Sequence, residues 1–386
     1  MNTQDLLFRL LRVELGVETI SNKEVENLKK EFGDEQKQSL YLLAKAHDVC
    51  AMVASALIDS RVLEKGDSYY NEFRVEISRA VFRYENQNYE TARIKELFEI
   101  EGVDYLFLKG ATLRGYYNKP YQRTSCDIDV LVKKDALERA KCLLVDKLGF
   151  VVDKEKGYHD VTLLSPSKVM IELHFSIKED SLNADKVLEK AWDFATSVGN
   201  THEYVFSNEF ICFYHVAHAA YHFLSGGCGI KPFIDVYQLT NNANIDQNYL
   251  RDLLERCELM KFAIFMSQLS KAWFENSPKN KTLLLAEDYI LVGGCYGLTS
   301  SGVALKRVKK GGKVNYLIGR LFLPYEKLKL KYPVLEKHKW LTPFCQVARW
   351  CSALFKKKGA KELSVMRSIT DDKKEELKYL IDNLGL

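Results

Sequence analysis

With 386 residues, 47% of them hydrophobic and 28% charged, the chain has the bulk for two or three domains of roughly 100–200 residues and the composition of a globular protein, which excludes disordered and fibrous classes. Its nine cysteines are scattered and form no Cys-x-x-Cys pair, the usage of a reducing compartment, so a disulfide framework is excluded and a cytoplasmic location is expected. The net charge of +4 conceals a block from 301 to 361 holding sixteen Lys and Arg against Glu326 and Glu336, which leaves the remainder acidic.

The first residues, MNTQDLLFRLLRVELG, place Asp5 and Arg9 inside what would be the apolar stretch of a signal peptide, so secretion is not expected. Up to about residue 100 the apolar residues recur at helical spacing, as in Leu42, Leu43 and Ala46, then Val49, Val53, Ala56 and Leu57. Two short runs rich in β-formers follow, Val103 to Leu108 and Ile128 to Val132, and read as buried strands. Between them lie Lys109-Gly110 and a short helical piece, Ala111 to Tyr117. Asp135 to Lys147 has the spacing of an amphipathic helix with Asp135 at its N-cap. The runs Tyr158 to Leu164 and Val169 to Phe175, separated by Ser165-Pro166-Ser167-Lys168, form a predicted hairpin, because Pro's fixed φ suits the second position of a turn. From Asp185 helical periodicity returns and continues almost to the end. The uncharged run Tyr289 to Leu305 is 17 residues long, short of the roughly 20 that span a bilayer, and is expected to be buried or loop; no transmembrane segment is expected. The fold class is α+β. Residues 1–87 form a helical N-terminal region, 88–198 a small sheet-containing core, and 199–386 a helical C-terminal region that includes the basic segment.

Chemistry concentrates between residues 108 and 174. Side chains two apart on a strand share a face, so Asp127 and Asp129 present paired carboxylates at the mouth of an otherwise apolar strand. Like charges held so close repel unless a cation lies between them, and Mg²⁺, or Mn²⁺ in its place, suits hard oxygen ligands. Gly110, at the strand-to-helix turn, lets backbone N–H groups approach a triphosphate with no Cβ in the way. A third carboxylate is needed if two cations are to clamp a phosphoryl transfer, and Glu172, flanked by apolar residues on a later strand, is the best candidate for a ligand or a base. Lys109 and Arg123 are candidate phosphate contacts, Arg123 the favoured one because it also offsets the carboxylates. His174 shares the face of Glu172 and is either a contact to phosphate or acceptor hydroxyl or a structural histidine.

Leu108-Lys109-Gly110, the stretch Arg123-Thr124-Ser125-Cys126-Asp127-Ile128-Asp129-Val130-Leu131-Val132, Ile171-Glu172-Leu173-His174 and the distal Leu321-Phe322-Leu323-Pro324 together resemble the DNA polymerase β type nucleotidyltransferase superfamily. More narrowly, they resemble a bacterial nucleotidyltransferase family often found beside capsule, exopolysaccharide or modified-peptide genes. The resemblance implies a mixed sheet flanked by helices, divalent metal, and transfer of a nucleoside monophosphate from an NTP, ATP as first choice, with release of pyrophosphate. It implies catalytic and metal-binding roles for Asp127, Asp129 and Glu172, and nucleotide contacts from Lys109, Gly110, Ala111, Arg123 and His174. The chain departs from the superfamily pattern at Gly110-Ala111, where Gly-Gly or Gly-Ser is usual and Ala brings no hydroxyl to a phosphate. The acceptor is left open among small molecule, saccharide, peptide and protein. The alternatives are RNA or tRNA, and a noncatalytic nucleotide-binding protein of a polysaccharide assembly system.

Other features read more plainly. His215, His218 and His222 share one helix face, and Ala stands where HExxH has Glu, so packing histidines come first and a cleft lining second. Gly226 to Lys231 reads as a turn between helices, with Asp235 in the N-cap region of the second or in contact with the site. Cys126 is expected to pack on the face opposite Asp127. In the basic segment Tyr316, Phe322, Tyr325, Tyr332, Trp340, Phe344, Trp350 and Phe355 alternate with Lys and Arg. That pattern suits helix packing with snorkelling lysines, or an anionic partner such as RNA or a membrane surface.

Overall fold

Helices α1 (Thr3–Glu14), α2 (Asn22–Glu31), α3 (Asp34–Ala46), α4 (Cys50–Asp59) and α5 (Tyr70–Glu101) precede the first strand, as the apolar spacing predicts. This computed structural model describes residues 2–154, 159–179, 182–295, 322–355 and 371–386. Gly102 ends the 32-residue α5 in the left-handed conformation that glycine adopts without a Cβ penalty. The strands are β1 (Tyr105–Phe107), β2 (Asp127–Val132), β3 (Val151–Lys154), β4 (Asp160–Leu164) and β5 (Met170–His174). They form one mixed sheet in the order β1-β2-β5-β4-β3, with β2 parallel to β5 and the other pairs antiparallel. The α+β class and the small mixed sheet expected from the sequence are therefore present.

Period-two alternation gives the sheet two different faces. Ile128, Val130, Ile171, Leu173, Val161 and Leu163 point to one side, where they pack on Ile94, Leu97 and Phe98 of α5 and on Leu137, Ala140 and Leu144 of α7 (Leu137–Leu148). The opposite face carries the polar residues described below. Helices α9 (Asn208–Ser225), α10 (Lys231–Asn242), α11 (Gln247–Arg256), α12 (Met260–Phe274) and α13 (Lys281–Gly293) build a larger helical core together with α1 and α4. Ser207 caps α9 by accepting a hydrogen bond from the Phe210 N–H.

Several boundaries differ from the sequence reading. Asp135 is not an N-cap: the chain leaves β2 through a turn closed by Ala136 N–H donating to the Lys133 carbonyl at 3.0 Å, and α7 begins at Leu137 with no side-chain cap. Strand β3 was not anticipated, because its register against β4 is irregular and its Val151 is exposed, so no alternation marks it. Helix does not resume without a break after Asp185. Two three-residue strands, β6 (Ala195–Ser197) and β7 (Tyr204–Phe206), pair between the short helix α8 (Asp185–Leu188) and α9. Cys126 is exposed rather than packed; the eight cysteines whose surroundings are described are all free. Tyr289, Ile290 and Leu291 are buried in α13, while 296–305 of that uncharged run lies outside the described residues. Among the described residues no helix is long and apolar enough to cross a membrane.

The basic segment is described only over 322–355. Leu328, Leu335 and Cys345 form a small apolar cluster there; Phe322 and Trp340 make ring contacts with Trp350 and Phe344, respectively, yet Phe322, Trp340 and Phe344 remain exposed rather than buried in that cluster. Leu321, Tyr316 and Lys356 to Lys358 lie outside the described residues.

Candidate active site

Because β2 and β5 are adjacent and parallel, residues in register stand side by side on one face of the sheet. Asp129 is opposite Glu172, and Leu131 opposite His174. Asp127, two residues before Asp129, lies on the same face. His174 Nε2 is 2.8 Å from Asp129 Oδ1 and 3.4 Å from Glu172 Oε2. Lys109 Nζ donates to the same Asp129 oxygen at 3.0 Å. Asp129, Glu172 and His174 each offer a ligand atom within 4.8 Å of the others, and Asp127 lines the same cleft, which has a volume of about 380 Å³.

The electrostatics follow from that crowding. Burial works against the Asp129 carboxylate, but the Lys109 ammonium and the His174 hydrogen bond overcome it and hold the group below the usual carboxylate range. The hydrogen bond from His174 lowers Glu172 in the same way, against burial and the Asp129 charge. Burial disfavours the His174 cation, yet its bonds to Asp129 and Glu172 raise it to about 9. Asp127 goes the other way: burial, then repulsion by Asp129, push its carboxyl up to about 6. Three carboxylates thus stand beside one ammonium and one imidazolium. The hard carboxylate oxygens of Asp127, Asp129 and Glu172 form a donor set that fits Mg²⁺ or Mn²⁺, with His174 orienting two of them.

Lys109 occupies the turn between β1 and α6 (Gly110–Leu113) at φ +43°, ψ −106°, a backbone conformation that costs a non-glycine residue about 1–3 kcal/mol. The Leu108 N–H donates to the Asp129 carbonyl at 3.0 Å, which ties this turn to the carboxylate strand. Gly110 needs its missing side chain for reasons of space: an added Cβ would stand 2.9 Å from Ser125 Oγ and 3.2 Å from Ser125 Cβ. Ser125 cannot yield easily. Its hydroxyl donates to the Asp127 carbonyl at 3.0 Å and accepts from Arg114 Nη2 at 3.1 Å. Gly110→Ala is therefore expected to cost about 1–3 kcal/mol of stability, read as a lower denaturant midpoint at unchanged slope.

Arg123 lies on the cleft wall, but its Nε donates to Asp235 Oδ1 at 2.7 Å and its Nη1 to the Thr124 carbonyl at 3.0 Å. The partner that offsets Asp129 is Lys109. Asp235 is not in a cap region: it is buried within α10, where it also accepts from Tyr117 OH at 2.6 Å. The three histidines of α9 divide. His215 Nε2 faces the Pro232 carbonyl and Asp235, whereas His218 and His222 line the cleft wall with Tyr214 and Tyr221, so the lining ranked second is what two of them do. Sequence reasoning missed Glu179, which follows β5 and receives a hydrogen bond from His218, and Gln87 on α5, whose Nε2 donates to the carbonyls of Ser125 and Asp127. Gln87 sits on the helical spacing of α5, and its reach of 40 residues to Asp127 leaves no local signal.

A family model described as an uncharacterised nucleotidyltransferase matches residues 33–275, more than half of the chain, from α3 through the sheet and cleft to the end of α12. The chain belongs to this nucleotidyltransferase family. Comparison with curated proteins and with solved structures gives no match. The nucleotidyltransferase is thus an enzyme, and the matched span contains every residue of the site built above, whereas the basic segment 301–361 lies beyond it.

The raised Asp127 carboxyl gives the nucleotidyltransferase a pH signature. Its folded pKa, about 6, exceeds the unfolded value of about 4, so the folded state binds this proton more tightly. That contribution to stability is complete below the unfolded value and lost as pH rises through about 6. Thermal unfolding in chelator between pH 4.5 and 8 should therefore show a shallower decline for Asp127→Asn than for the wild type, since the amide does not titrate.

Proposed function

We propose that this nucleotidyltransferase is of the DNA polymerase β type and transfers a nucleoside monophosphate from an NTP, ATP first, to an unidentified acceptor with release of pyrophosphate. Mg²⁺ or Mn²⁺ held by Asp127, Asp129 and Glu172 is part of this reading, as are a transfer unit over 88–198 and a cytoplasmic setting. The observation that carries it is the pairing of Asp129 with Glu172 across parallel strands, with Asp127 one pleat away and the Lys109-Gly110 turn at their side.

When bound, the divalent cation supplies charge neutralisation on the phosphates and on the departing pyrophosphate. The protein's own groups do the positioning. Glu172, kept low by His174, is a poor proton acceptor at neutral pH and serves as a ligand rather than a base. His174, buried behind the carboxylates, fixes Asp129 and Glu172 through its Nε2. Lys109 brings an ammonium to the cleft for the phosphate tail, and Gly110 keeps that turn clear of a Cβ. Ala111 continues α6 beside it without a hydroxyl, and Arg123 lines the wall with its Nε held by Asp235. The test uses ATP, CTP, GTP and UTP labelled at the α-phosphorus, each supplied with Mg²⁺ and a size-fractionated lysate. Label in one fraction with matching pyrophosphate release is expected. Label in no fraction, or label that reaches a fraction only in a parallel assay with γ-labelled nucleotides, contradicts the reading.

The exposed Phe322, Trp340 and Phe344, with Lys337 and Lys339 just before Trp340 in the chain, favour a second reading, in which the acceptor is single-stranded RNA. Binding of an RNA oligonucleotide should then fall linearly with salt on a log–log plot, and a flat response excludes this acceptor.

A further inference from the structure

The wall facing the carboxylates holds a chain of three groups that metal and nucleotide binding do not use. Glu179 Oε1 lies 2.5 Å from His218 Nδ1, and His218 Nε2 lies 3.0 Å from His222 Nε2, with the two rings nearly perpendicular at a centroid separation of 4.3 Å. Glu179 is buried, His218 half-buried, and His222 stands exposed at the rim, so the chain runs from the interior to the opening of the cleft. Asp185 Oδ1 accepts from the Glu179 N–H at 3.0 Å and fixes the inner end.

The network dictates the tautomers. A Glu179 carboxylate accepts, so His218 carries its proton on Nδ1 and presents a lone pair at Nε2. His222 must then donate from Nε2, which leaves its Nδ1 lone pair as the proton-accepting end. Burial first, then Lys109 and the neighbouring His222 and His215, hold His218 well below the ordinary imidazole range, so it is a neutral acceptor at neutral pH. On the opposite wall Glu172 is committed to His174, and His174 to Asp129 and Glu172.

Resting on the transfer reaction proposed above, we infer that His222 is the general base for the acceptor, positioned by Glu179 through His218. An acceptor group arriving with its proton, as a hydroxyl does, needs such a base; a phosphate monoester, already ionised, does not. The cleft favours the first case. Among the described residues that line it the cations are Lys109, Arg123, Lys178 and the His174 imidazolium, of which Lys109 is paired with Asp129, Arg123 with Asp235 and His174 with Asp129 and Glu172, while Glu179 adds a fourth carboxylate. In the step, the acceptor O–H breaks and its proton moves to His222 Nδ1, a bond forms from that oxygen to the α-phosphorus, and the bond from the α-phosphorus to the pyrophosphate oxygen breaks. Glu179 stabilises the resulting imidazolium across His218, and the two groups act as a unit.

The experiment compares wild type, His222→Gln, Glu179→Gln and the double variant in the labelling of lysate fractions from α-labelled ATP, CTP, GTP and UTP with Mg²⁺. Calorimetric binding of Mn²⁺ with each NTP is measured beside it. His222→Gln is expected to lower the transfer rate by about 10²–10⁴-fold with the NTP KM and binding unchanged. Glu179→Gln should lower it less, and the double variant no further than His222→Gln alone, a non-additivity that a purely structural role of Glu179 would not produce. The labelled product should withstand an anhydride-cleaving pyrophosphatase. Unchanged transfer by His222→Gln, or a label released by that pyrophosphatase, overturns the base while leaving nucleotidyl transfer standing. No label in any fraction overturns the transfer reading itself, and the base with it.

Discussion

Replacing Asp129 with asparagine is expected to lower nucleotidyl transfer by about 10³-fold, equivalent to about 4 kcal/mol of transition-state stabilisation. Asp129 is the residue on which the site converges: Lys109 and His174 both bond its Oδ1, and Glu172 stands beside it in register. The amide keeps the shape and removes the charge, so the local hydrogen bonds rearrange and the proposed divalent-cation site would lose one of its anionic ligands. His174 is raised chiefly through its bonds to Asp129 and Glu172 against the effect of burial, and its imidazole should titrate closer to the ordinary range in the variant. Transfer in the labelling assay measures the first effect, and the chemical shift of the His174 ring against pH measures the second. A variant that transfers at the wild-type rate would remove Asp129 from the chemistry.

The second large effect is on stability. Arg123→Ala should cost about 3–5 kcal/mol of unfolding free energy, because it leaves Asp235 as a buried, uncompensated charge. Asp235 is 1% exposed, its Oδ2 has no hydrogen-bond partner, and the remaining help comes from Tyr117 OH on Oδ1 and from His215 at 3.6 Å. Burial opposes the Asp235 carboxylate, and Arg123 is the first of the groups that reverse this and keep it low. Denaturant unfolding of Arg123→Ala, Asp235→Asn and the pair tests the assignment. The double variant should be more stable than the sum of the single losses predicts. If Arg123 serves mainly as a phosphate contact, the single variant would keep its stability and lose NTP affinity instead.

The carboxylate face was legible because its signal is local. In Asp127-Ile128-Asp129 and Glu172-Leu173-His174 the two-residue period places each polar pair on one face, and the Ser-Pro turn at 165–168 brings β5 back against β4. The sheet register that sets Glu172 beside Asp129 was not legible, because β2 and β5 meet across 37 residues of intervening chain. Arg123 shows the limit of local reading more sharply. Next to the carboxylates in sequence, it is bonded in space to Asp235, 112 residues away. The division of α9 between His215, which faces Asp235, and the cleft-lining pair depends on which elements pack against each side of one helix, and periodicity carries no information about that. Strands of three residues, such as β6 and β7, are too short for alternation to mark them.

In the proposed function, Asp127, Asp129 and Glu172 gather divalent cations that grip the phosphate tail of a nucleotide. Calorimetric titration of the full chain with Mn²⁺ and ATP, set beside the Asp127→Ala/Asp129→Ala variant, tests it most directly. Saturable binding of Mn²⁺ and ATP by the wild type is expected, each tightening the other, with loss of that mutual enhancement in the variant. Equal binding by both proteins would contradict it.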